Sequence, residues 1–111
     1  VASDFTIKRW DRLPSIAATL TDALGAPVDI SSSTVKFIMS PTPGGGTPII
    51  SASAVIVNSA GQVRYDWLTA DTDVSGSYVA EWEVTFPNGK KQTFPSASYN
   101  TVLIFDDLDN A

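Results

Sequence analysis

Apolar and polar residues alternate along much of the chain, and the alternation is clearest at 76–86. There Tyr78, Ala80, Trp82, Val84 and Phe86 share one parity, and Ser77, Glu81, Glu83 and Thr85 share the other. A period of two places these sets on opposite faces of a β-strand, one toward a core and one toward water. The same pattern predicts strands over 62–68 (Val63, Tyr65 and Trp67 inward), 34–40 (Val35, Phe37 and Met39 inward) and 15–22 (Ile16, Ala18 and Leu20 inward). Shorter runs at 4–8, with Phe5 and Ile7 on one face, and at 28–30, 91–94 and 99–105 add further strands. The segment 49–57, diluted by Ser and Ala, predicts one irregular strand. Turn residues separate these runs, among them Asn88-Gly89, which readily supplies the positive φ angles of a tight hairpin. Short strands with turns at this spacing predict an all-β sandwich. Its core should hold Ile16, Leu20, Val35, Phe37, Met39, Val63, Tyr65, Trp67, Tyr78, Trp82, Val84 and Phe86.

Composition narrows the chemistry. The chain has 111 residues, enough for one domain around one core. The expected division is a single sandwich over 1–105 and an acidic tail over 106–111. There is no Cys and no His. A disulfide framework, a thiolate metal site, a Cys nucleophile and the commonest general base are therefore all excluded. Seven Lys and Arg against twelve Asp and Glu give a net charge of −5, a poor match to a phosphate backbone, so no nucleic-acid partner is expected. No apolar run approaches the ~18 residues of a membrane span, so no membrane partner is expected either. The first residues lack the pattern of a secretory leader. A start at Val1 fits either Met removal or a trimmed fragment.

Several groups of residues bear weighing as sites. Asp71 and Asp73 share a loop, and Asp106, Asp107 and Asp109 crowd the end of the chain. Aspartates in loops can supply oxygens to Ca²⁺, but the regular spacing and closing Glu of a calcium loop are missing. The reading is solvated acid, with no metal and no cofactor. Glu81 and Glu83 lie on the outer face of one strand, about 7 Å apart by strand rise. With no cleft expected around them, they read as a charged stripe rather than a glycosidase pair, and no catalytic residue is assigned. Gly44-Gly45-Gly46 lacks the Lys-Ser/Thr of a phosphate loop and reads as a mobile tip. Trp10 sits outside a strand among Lys8, Arg9 and Arg12, which are three of the seven basic residues. It is either a lid over one end of the core or an exposed interface anchor, and the basic segment around it is a candidate docking point for a negative surface.

Three ordered stretches carry a family resemblance. The first is 12–30 with Thr34-Val35-Lys36-Phe37-Ile38-Met39. The second is Gly61-Gln62-Val63-Arg64-Tyr65-Asp66-Trp67 with Thr69-Ala70-Asp71-Thr72. The third is 76–86 with Asn88-Gly89-Lys90 and Thr93-Phe94-Pro95. Together they resemble the immunoglobulin-like domain of tailed-phage virion proteins, as found at the N-terminus of phage upper baseplate proteins. Trp10 stands where that family's pattern has Gly before its first Asp. Gly76-Ser77-Tyr78 is similar to the tyrosine-corner region of immunoglobulin-like domains, although the usual Asp four residues before the Tyr is Val74 here.

The resemblance implies an immunoglobulin-like antiparallel β-sandwich of about seven to eight strands. It implies a non-enzymatic structural or docking protein of the virion (tail, baseplate or capsid decoration), assembled in the host cytoplasm. Its partners would be other phage structural proteins, met in many symmetric copies. The expected partner-binding residues are Lys8, Arg9, Trp10, Arg12, Asp106, Asp107 and Asp109, with the basic and acidic ends of neighbouring copies meeting head to tail. The alternative is a carbohydrate-binding or host-adhesion module that stacks Trp10, Tyr99 or Trp67 on a host glycan. A further alternative is a piece of a longer bacterial adhesin or prophage tail protein.

Overall fold

The computed structural model describes residues 5–41, 48–95 and 100–108. Among them are nine strands: β1 (Phe5–Lys8), β2 (Ile16–Thr19), β3 (Thr34–Ser40), β4 (Ile50–Ser53), β5 (Val55–Asn58), β6 (Gln62–Tyr65), β7 (Gly76–Thr85), β8 (Lys91–Phe94) and β9 (Asn100–Phe105). They form an all-β sandwich. One sheet runs β1-β9-β7-β3-β4, with β8 also on β7, and the other runs β2-β6-β5. The expected tip at 44–46, Tyr99 and Asp109 lie outside the described residues.

The longest alternating run becomes the centre of the larger sheet. One edge of β7 pairs with β3 from Thr34↔Thr85 to Ser40↔Val79. Its other edge is shared: the first half pairs with β9 (Gly76↔Ile104 to Ala80↔Asn100) and the second with β8 (Trp82↔Phe94 to Thr85↔Lys91). Two strands laid end to end along one neighbour require its 10 residues. The pairing departs from the all-antiparallel expectation at β1, which runs parallel to β9 from Phe5↔Val102 to Lys8↔Phe105. A parallel pair has no hairpin between its strands, so no local turn signal announces it. Its consequence is positional, because the chain leaving β1 and the chain leaving β9 emerge at the same end.

The segment expected as one irregular strand is two strands in different sheets. β4 pairs with β3 and β5 with β6, and the crossing falls at Ala54, whose N–H donates to the Val35 carbonyl at 2.8 Å. Small residues (Ser51, Ala52, Ser53, Ala54) let the backbone pass close to its neighbours at this corner. The crossing closes one side of the sandwich. On the opposite side, between β2 and β8, the described residues line a groove of about 490 Å³.

Every expected core residue is buried except Phe86, which is half-buried where β7 gives way to its turn. Phe37 lies at the centre of an aromatic cluster. Its ring centroid is 4.8 Å from Tyr65 (stacked), 4.8 Å from Trp82 and 5.9 Å from Trp67 (edge-on). Since Phe37 and Trp82 belong to the larger sheet while Tyr65 ends β6, these contacts join the two layers. The Trp82 Nε1–H is buried with no acceptor among the described residues.

Gly61 marks a second point of closure. Its φ is +84°, and a Cβ there would lie 2.6 Å from the Leu20 carbonyl oxygen and 3.1 Å from that of Val28. Gly25 has the same φ but open space around it. Two stability measurements check this packing by urea unfolding. Phe37→Ala is expected to cost about 3–5 kcal/mol, as for other buried aromatics. Gly61→Ala is expected to cost about 2 kcal/mol or more, and clearly more than Gly25→Ala, because backbone strain and a clash with backbone add there.

Candidate functional site

The segment after β1 is fastened across the end of the sandwich to the loop that follows β6. Arg9 N–H donates to the Phe105 carbonyl at 2.7 Å and Trp10 N–H to the Thr72 carbonyl at 3.1 Å. The Arg9 Nε donates to the Asp73 carbonyl at 2.6 Å, Arg12 to Thr69 Oγ1 at 3.0 Å, and buried Thr72 returns a bond from its hydroxyl to the Asp11 carbonyl at 2.9 Å. Further along, Trp67 Nε1 donates to the Pro14 carbonyl at 3.0 Å. These bonds join residues more than fifty positions apart in sequence and hold the end as one surface.

Two side chains hold the loop itself. The Asp71 carboxylate accepts the Tyr65 hydroxyl at 2.6 Å and the Leu68 N–H at 2.8 Å through the same oxygen. Burial, followed by that carboxylate, pushes the Tyr65 hydroxyl well above the usual tyrosine range, so it stays a donor. The Tyr78 hydroxyl donates to the Val74 carbonyl, four residues upstream, at 2.6 Å. This is tyrosine-corner geometry without the Asp that usually precedes it; the bond needs only the carbonyl of residue 74, so Val serves there.

Trp10 is neither a buried lid nor a freely exposed anchor. It is half-buried, with the Arg9 guanidinium 4.2 Å from its ring centroid. Its φ is +70°, a conformation that favours glycine. The hydrogen bond to Thr72 and the turn closed by Asp11 N–H on the Lys8 carbonyl (3.2 Å) hold it there.

Two of the charges expected to face a partner, Arg9 and Asp106, meet each other. Arg9 lies 3.8 Å from Asp106, so the basic and acidic segments share one end rather than standing at opposite ends for a head-to-tail contact. The parallel β1–β9 pair brings this about. Asp11 lines a depression with Lys8, and Asp73 another with Arg12, so the patch is not net basic. Lys8 reaches over the Phe105 ring at 6.0 Å, and Asp107 follows Asp106 away from the strand.

This end exposes several large apolar side chains, as Leu24, Ile49, Val55, Val57 and Leu108 do elsewhere, and residue-by-residue parity gave no hint of them. Leu13 is 77% exposed, Val74 67%, Leu68 60% and Phe105 47%. Leu13 and Phe105 line one shallow depression with Lys8 and Asp11; Trp10 and Leu68 line the next with Arg12 and Asp73.

The remaining candidates are accounted for by structure. Asp71 serves its loop, and no group of three or more metal-ligating side chains occurs among the described residues. Glu81 and Glu83 are half-buried rather than a free stripe, and Glu83 lies 3.8 Å from Lys91. Trp67 is only 4% exposed and cannot stack on a sugar.

No protein-family model and no curated protein sequence matches the chain. Among solved structures it is similar to CopC from Methylosinus trichosporium OB3b, with a TM-score of 0.51 and 11% identity over 95% of this chain and 86% of that one. At that identity the likeness extends to the fold.

Three substitutions test how the end is held. Tyr78→Phe should cost about 1 kcal/mol, and Asp71→Ala about 1–3 kcal/mol because it strands two donors. The third concerns pH. The Ser15 hydroxyl and then Arg64 hold the Asp66 carboxyl below its ordinary value of 3.8. A lowered folded-state pKa stabilises the fold above the ordinary value, and the effect is lost as pH falls through the lowered one. Asp66→Asn should therefore lower stability at neutral pH, flatten the acid side of the stability–pH curve and leave the most acidic end little changed.

Proposed function

We propose that this chain is a non-enzymatic docking protein of a tailed-phage virion, attached to tail, baseplate or capsid proteins through the end that carries Leu13, Leu68, Val74 and Phe105. The observation that carries the reading is the gathering of these exposed apolar side chains on one hydrogen-bonded end of a sandwich. Exposed apolar surface interspersed with polar groups is found at protein contact sites. Trp10 and its stacked Arg9 add the residue types favoured at such contacts. The family resemblance supplies the virion setting.

Arg9 is already paired with Asp106 within the chain, so apolar burial would drive the contact. A patch of this size gives a weak single contact. Many symmetric copies on one particle would raise it to firm attachment through effective concentration.

The test is co-sedimentation of the purified chain with particles that lack it. Wild type should pellet with the particles. The double variant Leu13→Glu/Leu68→Glu should lose at least tenfold in retention while its melting temperature stays near wild type, since both side chains are exposed. Equal retention of the variant, or absence of the chain from virions by mass spectrometry, would overturn the proposal.

A further inference from the structure

The grooved side of the sandwich offers a different kind of contact. Leu20 N–H donates to the Gly61 carbonyl at 2.8 Å, in register with the β2–β6 ladder. Alternation along an antiparallel ladder then points the backbone groups of Ile16, Ala18 and Leu20 toward β6 and those of Ala17 and Thr19 away from it. The chain continues past Leu20 through the bridge Thr21↔Pro27, with Asp22 N–H on the Ala26 carbonyl at 2.8 Å, so Thr21 also faces outward. Ala17, Thr19 and Thr21 thus present a row of N–H and C=O groups with no protein partner among the described residues.

Edges of this kind are usually blunted by charge, proline or a bulge. β8 carries Lys91, β1 carries Lys8 and β5 has a register shift. The 17–21 edge has none of these. It also forms one lip of the groove of about 490 Å³, whose other walls include Trp82, Gln92, Phe94 and Asn100. Asp22 is the one charged side chain in the described lining. Its Oδ1 accepts the N–H groups of Leu24 (2.9 Å) and Ala26 (3.0 Å), which leaves Oδ2 available at the end of the row.

We propose that this edge accepts an extended segment of a partner protein as an added strand. Its backbone pairs with Ala17, Thr19 and Thr21, alternate apolar side chains enter the groove, and a Lys or Arg lies against Asp22. A strand matches the repeat of the free backbone groups, the period of two supplies the inward side chains, and the lone carboxylate fixes the sign of the flanking charge. This surface is separate from the apolar end, and the proposal does not depend on the virion reading.

The probe is a panel of blocked hexapeptides that alternate Thr with Val, Ile, Leu or Phe and carry one terminal Lys, titrated into ¹⁵N-labelled protein. At least one peptide should slow hydrogen exchange at the Ala17, Thr19 and Thr21 amides tenfold or more. Ala17→Pro removes an outward donor that β6 does not use, so it should keep the fold (checked by its melting temperature) and weaken binding at least tenfold. Replacing the peptide Lys by Glu should also weaken binding severalfold. Failure of the whole panel at millimolar concentration would overturn the proposal, as would undiminished binding by Ala17→Pro. Self-association of the protein through this edge, seen in analytical ultracentrifugation and abolished by Ala17→Pro, would instead make a second copy the occupant and overturn the partner assignment.

Discussion

The sandwich depends on the contact of Phe37 with aromatic rings from both layers. Phe37 is fully buried and meets Trp82 within its own sheet and Tyr65 and Trp67 across the interior. Each ring buries a large apolar area, and tilted or edge-on arrangements add to that burial. A chain with no Cys cannot staple its sheets covalently, so aromatic packing must hold the layers in register. The cluster also governs the surface. Tyr65 ends β6 with its hydroxyl on Asp71, and Trp67 reaches Pro14, so the rings that close the core also seat the loop and the segment that cover one end.

That end takes its character from topology more than from composition. The parallel pairing of β1 with β9 delivers a basic stretch and an acidic stretch to the same place, where Arg9 meets Asp106. The same end also exposes Leu13, Leu68, Val74 and Phe105. Trp10 shows how tightly the turn is determined: its backbone adopts φ +70°, a conformation that favours glycine. A bulky residue in that conformation costs roughly 1–3 kcal/mol, which the surrounding hydrogen bonds offset.

Parity read from the chain located the core well wherever polar residues punctuated the apolar ones, as at 34–40, 62–67 and 76–84. It was less informative for β9, where Val102, Leu103, Ile104 and Phe105 form a continuous apolar run; only the pairing shows that Val102 and Ile104 face inward while Phe105 is exposed. The crossing at Ala54 was hidden because small residues fit a strand and a corner equally well. The candidate site was legible in part. Trp10 and its basic neighbours were visible as an anomaly, but Asp106, which meets Arg9, comes from a distant segment that the parallel pair brings near. Leu13, Leu68 and Val74 carried no signal at all, since single apolar residues in loops are commonplace.

The reading of this chain as a docking protein is tested most directly by a cryo-EM reconstruction of the intact particle. It predicts density for the sandwich in many symmetry-related copies, each seated with Leu13, Leu68, Val74 and Phe105 against a neighbouring structural protein. A particle with no such density, or copies attached with that end in solvent, would contradict it.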